Sequence, residues 1–195
     1  MISLAGWLNP TRFIGLNAYL FAATCCGIVW ARGCRTPRLS RFAAVLTVLE
    51  VGLFLDMAFS VRWQLHDVLE SEAIRENLYA QRVGPQLAAL GLLGAAAAAG
   101  MGLAFQRLRG RTGATVAACG AILSLSCWCA EVISLHATDT VLYQTVDGVM
   151  LVSLCWIAFS LMTGLGILLD ARAARSQPCQ DAKPAGKPPS SLIDS

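Results

Sequence analysis

"FAAVLTVLEVGLFLDMAFSV", residues 42–61, is twenty residues of almost unbroken apolar sequence that nevertheless holds two acids, Glu50 and Asp56. A helix of ~20 residues rising 1.5 Å each crosses the ~30 Å of bilayer hydrocarbon, so this stretch reads as a transmembrane helix. Four further runs have the same character: 13–31, 86–106, 114–135 and 149–169. Across all 195 residues, 56% are hydrophobic, 14% are charged, and the mean hydropathy is +0.59. A soluble domain of this size needs a more polar surface. The fold class that follows is all-α, a polytopic transmembrane helix bundle of five spans within residues 1–175, with the lipid bilayer as its main apolar solvent.

The charges between the runs test that count. Arg32, Arg35, Arg38 and Arg41 follow the first run. Arg107, Arg109 and Arg111 follow the third, and Arg172, Arg175, Lys183 and Lys187 follow the fifth. With five spans these eleven of the fifteen basic residues share one side. The positive-inside bias makes that side cytoplasmic, so the N-terminus is expected outside and the C-terminus inside. A four-span alternative would demote the first run to an interfacial helix and leave the other four as they are. The first run is also followed by "ARGCRTPR" (31–38), a stop-transfer flank and not a cleavage site. Usage rich in Ala, Leu and Arg fits a bacterial inner membrane.

The segments between spans add detail. Residues 62–84 mix Asp67, Glu70, Glu72 and Glu76 with Arg62, Arg75 and Arg82, and Leu65, Val68, Leu69 and Leu78 recur near helical spacing. This predicts an amphipathic helix at the outer surface. Residues 176–195, rich in Pro, Ser, Gly and Lys, predict a disordered cytoplasmic tail. The third run contains "GLLGAAAAAGMG" (91–102), whose small residues surround the helix. They predict a central place in the bundle, with a homo-oligomer seam as the alternative. Of the eight cysteines, none falls in the two outward segments, which argues against a disulfide framework.

Acids inside spans carry the functional question. An ionised carboxylate in hydrocarbon costs ~2.5–3.5 kcal/mol on insertion scales, so Glu50, Asp56 and Glu131 should face protein, water or a partner. Asp56 lies ~7.5 Å and Glu131 ~6 Å below the outer ends of their spans, a near-equal depth. Both spans then run out into histidine, in "QLHD" (64–67) and "SLHATD" (134–139), which hints at a duplicated hairpin. The candidate ligand- or ion-binding set is Glu50, Asp56, Arg62, His66, Glu131, His136 and Asp139.

Three readings of that set stand. A proton, cation or cationic-ligand site needs only acids and a titratable imidazole near water. Carboxylate and imidazole can also hold a metal, and two histidines a haem iron, but no H-x-x-x-H or E-x-x-H spacing supports either. The structural reading has Asp56 and Glu131 bonded to Arg62, Ser60, Ser134, Trp63 or Tyr143, pinning helix ends in register. Arg62 and Trp63 themselves read as interfacial anchors, with neutralisation of an acid by Arg62 as the alternative.

No phosphate loop, nucleophile elbow or dinucleotide fingerprint is present. The short basic loops lack aromatic interleaving and do not read as nucleic-acid sites. The functional expectation is therefore a non-enzymatic transporter-like or accessory subunit whose outer acids bind a proton, cation or membrane-protein partner. The alternative is a membrane-embedded enzyme using carboxylate and histidine, with a metal or haem, on a lipid or quinone-like substrate. The residues name no particular cofactor.

Overall fold

The computed structural model describes residues 9–33, 37–76, 83–133, 140, 142–146 and 148–176. Within them run α1 (Pro10–Ala31), α2 (Pro37–Phe59), α3 (Val61–Arg75), α4 (Val83–Arg107), α5 (Thr112–Ile133), a hairpin of β1 (Thr145–Val146) and β2 (Val149–Met150), and α6 (Val152–Ser176). All but α3 are long and apolar enough to cross a membrane. The molecule is thus an all-α five-span bundle, the build of a small integral membrane protein.

Local chemistry sets the helix ends. Asn9 caps α1 by accepting the Thr11 N–H at 3.0 Å, and Pro10 takes the first turn, where its missing N–H costs nothing. At the other end of the sequence, the span expected from residue 149 starts at Val152. Val149 and Met150 instead pair with Val146 and Thr145 in an antiparallel hairpin that turns through Gly148 at φ +80°. The α6 helix then runs on to Ser176, beyond the apolar run, carrying Arg172 and Arg175 with it.

Helices α1, α2, α5 and α6 form the core of the bundle, α1 packing on α2 and α6, and α6 on α5. The closest approach is α5 on α6. A Cβ on Gly120 would stand 2.7 Å from the Phe159 carbonyl oxygen and the Thr163 nitrogen, and one on Gly166 2.7 Å from the Ala117 nitrogen. Only glycine lets the two backbones meet this closely.

The expectation that the third span is central is overturned. Helix α4 packs on the outside of α5 and contributes no buried residue, and a Cβ at Gly91 or Gly94 would meet nothing within 4 Å. Small side chains permit close packing without compelling it, because in lipid an exposed apolar helix loses nothing by exposure. The tight small-residue seam is built by Gly113, Gly120 and Gly166 instead.

The bundle has two ends. One carries the starts of α1, α4 and α6, the ends of α2 and α5, the hairpin and α3, and is called here the α3 end. The other carries Arg32, Arg38, Arg41, Arg107, Arg109, Arg111, Arg172 and Arg175, and is called the basic end. Helix α3 covers residues 61–75 of the segment expected to form an amphipathic helix, and Leu65, Val68 and Leu69 are exposed along it. Leu78 and the tail from residue 177 lie outside the described residues.

Candidate functional site

The corner between α2 and α3 builds the site. Ser60 turns the chain at φ +58°, ψ +36°, a left-handed conformation that costs a non-glycine residue ~1–2 kcal/mol. Asp56, one turn back on α2, holds the corner: its Oδ1 accepts the backbone N–H of Arg62 at 2.8 Å and its Oδ2 accepts Arg62 Nε at 2.6 Å. The same carboxylate therefore caps the new helix and orients its first charged side chain.

Arg62 then reaches across the bundle. Its Nη1 donates to Glu131 Oε2 on α5 at 2.5 Å, and its guanidinium carbon lies 5.5 Å above the Trp156 ring on α6. Trp156 Nε1 donates to Glu131 Oε1 at 3.0 Å, and Cys127 Sγ lies 3.7 Å from the same oxygen. Four helices, α2, α3, α5 and α6, are tied by one guanidinium between two carboxylates. Asp56, Arg62 and Glu131 are 7, 3 and 3% exposed. Burial alone would lower the Arg62 pKa, but the Glu131 and Asp56 charges outweigh it and hold the guanidinium protonated, above its ordinary value.

Above this group opens a cavity of about 190 Å³, lined among others by Asn9, Thr11, Arg12, Ser60, Trp63 and Tyr143. Arg12 donates through Nε to the Met57 carbonyl at 3.1 Å and through a terminal nitrogen to the Ala58 carbonyl, so a cation sits on the carbonyl end of α2. Trp63 is half exposed and packs against Tyr143 with the rings tilted by 39° and their centroids 5.8 Å apart.

The structure brings Asp56, Arg62 and Glu131 together and leaves the other candidates elsewhere. Arg62 is not an interfacial anchor but a buried bridge. His66, one turn further along α3, is partly exposed and has Glu70 as its neighbour, 3.8 Å from its Nε2. His136 and Asp139 lie outside the described residues, as does Ser134.

Glu50 sits deeper, at 0% exposure, and neither carboxylate oxygen has a hydrogen-bond partner among the described residues. Thr163 is its close polar neighbour, yet that hydroxyl donates to the Phe159 carbonyl at 3.0 Å. Tyr19, Ser124 and Ser160 are also buried with oxygens that have no hydrogen-bond partner among the described residues. Tyr19 is nine residues into α1, Glu50 nine before the end of α2, Ser124 nine before the end of α5, and Ser160 eight into α6. Each of the four thus lies ~12–14 Å along its own helix from the terminus at the α3 end.

Sequence reasoning missed Trp156, Arg12 and Tyr19 as members of this interior. The available signal was depth, since Trp156 enters α6 four residues from its start and so stands at the level of Glu131. Among the described residues, no group of three or more His, Cys, Asp or Glu could hold a metal ion. Compared with known proteins, the chain matches no family model, no curated protein and no solved structure.

Proposed function

We propose that this is a non-enzymatic, transporter-like or accessory membrane protein whose interior carboxylates bind a proton or small cation entering through the cavity at the α3 end. One observation carries the reading: carboxylates outnumber guanidiniums inside the bundle. Among the described residues toward the α3 end, Glu50, Asp56 and Glu131 are buried with Arg62, and counting Arg12 at the cavity rim still leaves three acids to two bases, while the buried Asp170 at the basic end is matched by Arg111. A surplus negative charge in low dielectric needs a proton or a cation to be tolerated. The positive-inside bias puts the basic end in the cytoplasm and the cavity on the outer side, in a bacterial inner membrane by composition. A membrane-protein partner or second copy would dock on the bundle's lipid-facing surface.

The test is difference infrared spectroscopy of the protein in nanodiscs, titrated between about pH 5 and 9, where a perturbed carboxyl would change state. A protonated-carboxyl band should be present and vanish in Glu50→Gln. Proteoliposomes should take up protons or sodium down an imposed gradient faster than empty vesicles, and Asp56→Asn or Glu131→Gln should slow this. Absence of both the band and the uptake would defeat the proposal.

A further inference from the structure

A second polar cavity lies at the opposite, basic end, independent of the carboxylate site. It has a volume of about 820 Å³ and sits between the start of α2, the start of α5 and the last turns of α6. Its polar wall carries Arg38, Arg41 and Arg111 against a single acid, Asp170. Asp170 is already engaged, ion-paired to Arg111 across the α5–α6 seam. Arg38 and Arg41 are exposed and make no ion pair with any described residue, so the cavity keeps a net charge of two positives.

Two further features give the cavity a chemical preference. Helices α2 and α5 both start at its edge, at Pro37 and Thr112, and neither has an acid in its first turn, so the positive ends of two long helix dipoles add to the arginines. The lower wall is apolar and open to the lipid side, with Val116 and Leu169 both exposed beside the basic rim. A free phosphate ion would use the arginines and leave this apolar wall, and most of the volume, empty. An amphiphile with an anionic head fills both.

The geometry points to a binding site for the phosphate-bearing headgroup of an anionic phospholipid, with the phosphate between Arg38, Arg41 and Arg111 and the acyl chains along Val116 and Leu169. Arg111 is held by Asp170 and orients the site, while Arg38 and Arg41, three residues apart on one face of α2, close on the headgroup. Such a site would fasten the basic end of α2 to α5 and α6 by a bound lipid.

The experiment is native mass spectrometry of the full chain released from micelles, titrated with phosphatidylglycerol, phosphatidylcholine or inorganic phosphate. Phosphatidylglycerol should bind at one site per chain and more tightly than phosphatidylcholine. Arg38→Ala with Arg41→Ala should weaken it by about tenfold or more, and the double lysine variant, which keeps the charge, by less. Arg107→Ala with Arg109→Ala removes the same charge from the same end without touching the cavity, and should change affinity by about twofold at most. Helix content by circular dichroism confirms that each variant is folded, as expected for exposed side chains. Equal losses in both alanine pairs would mean a diffuse surface field, and equal binding of phosphatidylcholine would mean no headgroup recognition. Displacement of the lipid by inorganic phosphate at similar affinity would mean a small-anion site. Any of these overturns the assignment.

Discussion

The two-acid, one-guanidinium arrangement makes an unusual prediction for a mutant cycle. Asp56→Asn leaves Arg62 paired with Glu131, and Glu131→Gln leaves it paired with Asp56. In each, the charge-assisted hydrogen bonds of one carboxylate give way to those of an amide, with one acceptor oxygen replaced by a donor, while the buried group becomes electrically balanced in return, so the net loss is ~1–1.5 kcal/mol. The double variant is different in kind, because it leaves a guanidinium only 3% exposed with no carboxylate beside it. Breaking a buried pair so that a charge is uncompensated costs ~3–5 kcal/mol. The double variant should therefore lose more than the two singles combined, by a coupling of ~1–2 kcal/mol. Arg62→Met should also cost ~3–5 kcal/mol, by leaving two like charges buried, and adding Asp56→Asn and Glu131→Gln to it should recover most of the loss. Thermal or denaturant unfolding of the five variants in one detergent reads the cycle. Additive losses, or no rescue in the triple variant, would show that the three side chains do not act through one another and would refute this account of the corner.

Other expectations bear on packing, topology and depth. Gly15→Ala places a Cβ 2.8 Å from Trp156 Cε3, so it should cost ~1–3 kcal/mol and shift tryptophan fluorescence as the ring leaves Glu131. Gly120→Ala should push α5 off α6 and destabilise by a similar ~1–3 kcal/mol, whereas Gly94→Ala on α4 meets open space and should be neutral or slightly stabilising. An impermeant thiol reagent added to intact cells should spare Cys34 and Cys179, and labelling of either would invert the proposed orientation. Glu50→Gln should fold and express better than Glu50→Lys, because the position is fully enclosed; equal tolerance of both would show that it is not.

The sequence and the structure agree best where the bilayer itself does the selecting. Span count and approximate ends were legible because hydrocarbon thickness demands a fixed length of apolar chain, and each of the five runs falls within or close to one of the five long helices. The equal depth of Asp56 and Glu131 was legible for the same reason, since depth is counted in residues from a helix end. Rotation and lateral position were not. In water, the polar face of a helix marks its solvent side; in lipid, Val48, Leu92 and Leu103 face outward as readily as Leu39 or Leu46 face inward. This is why α4, whose run of small residues looked central, could lie at the edge. The same ambiguity hid Arg62, because an arginine one residue past a span is ordinarily an anchor, and only the left-handed turn at Ser60 aims it back into the bundle. That turn is local geometry of one residue, invisible in composition or periodicity. Yet it converts two separate acids into one buried ion group, and so makes the corner at residues 56–62 the place where fold and chemistry depend on each other. A change that relaxed Ser60 to a helical conformation would continue α2 straight and carry Arg62 away from Glu131, unmaking the site without altering any of its charged residues.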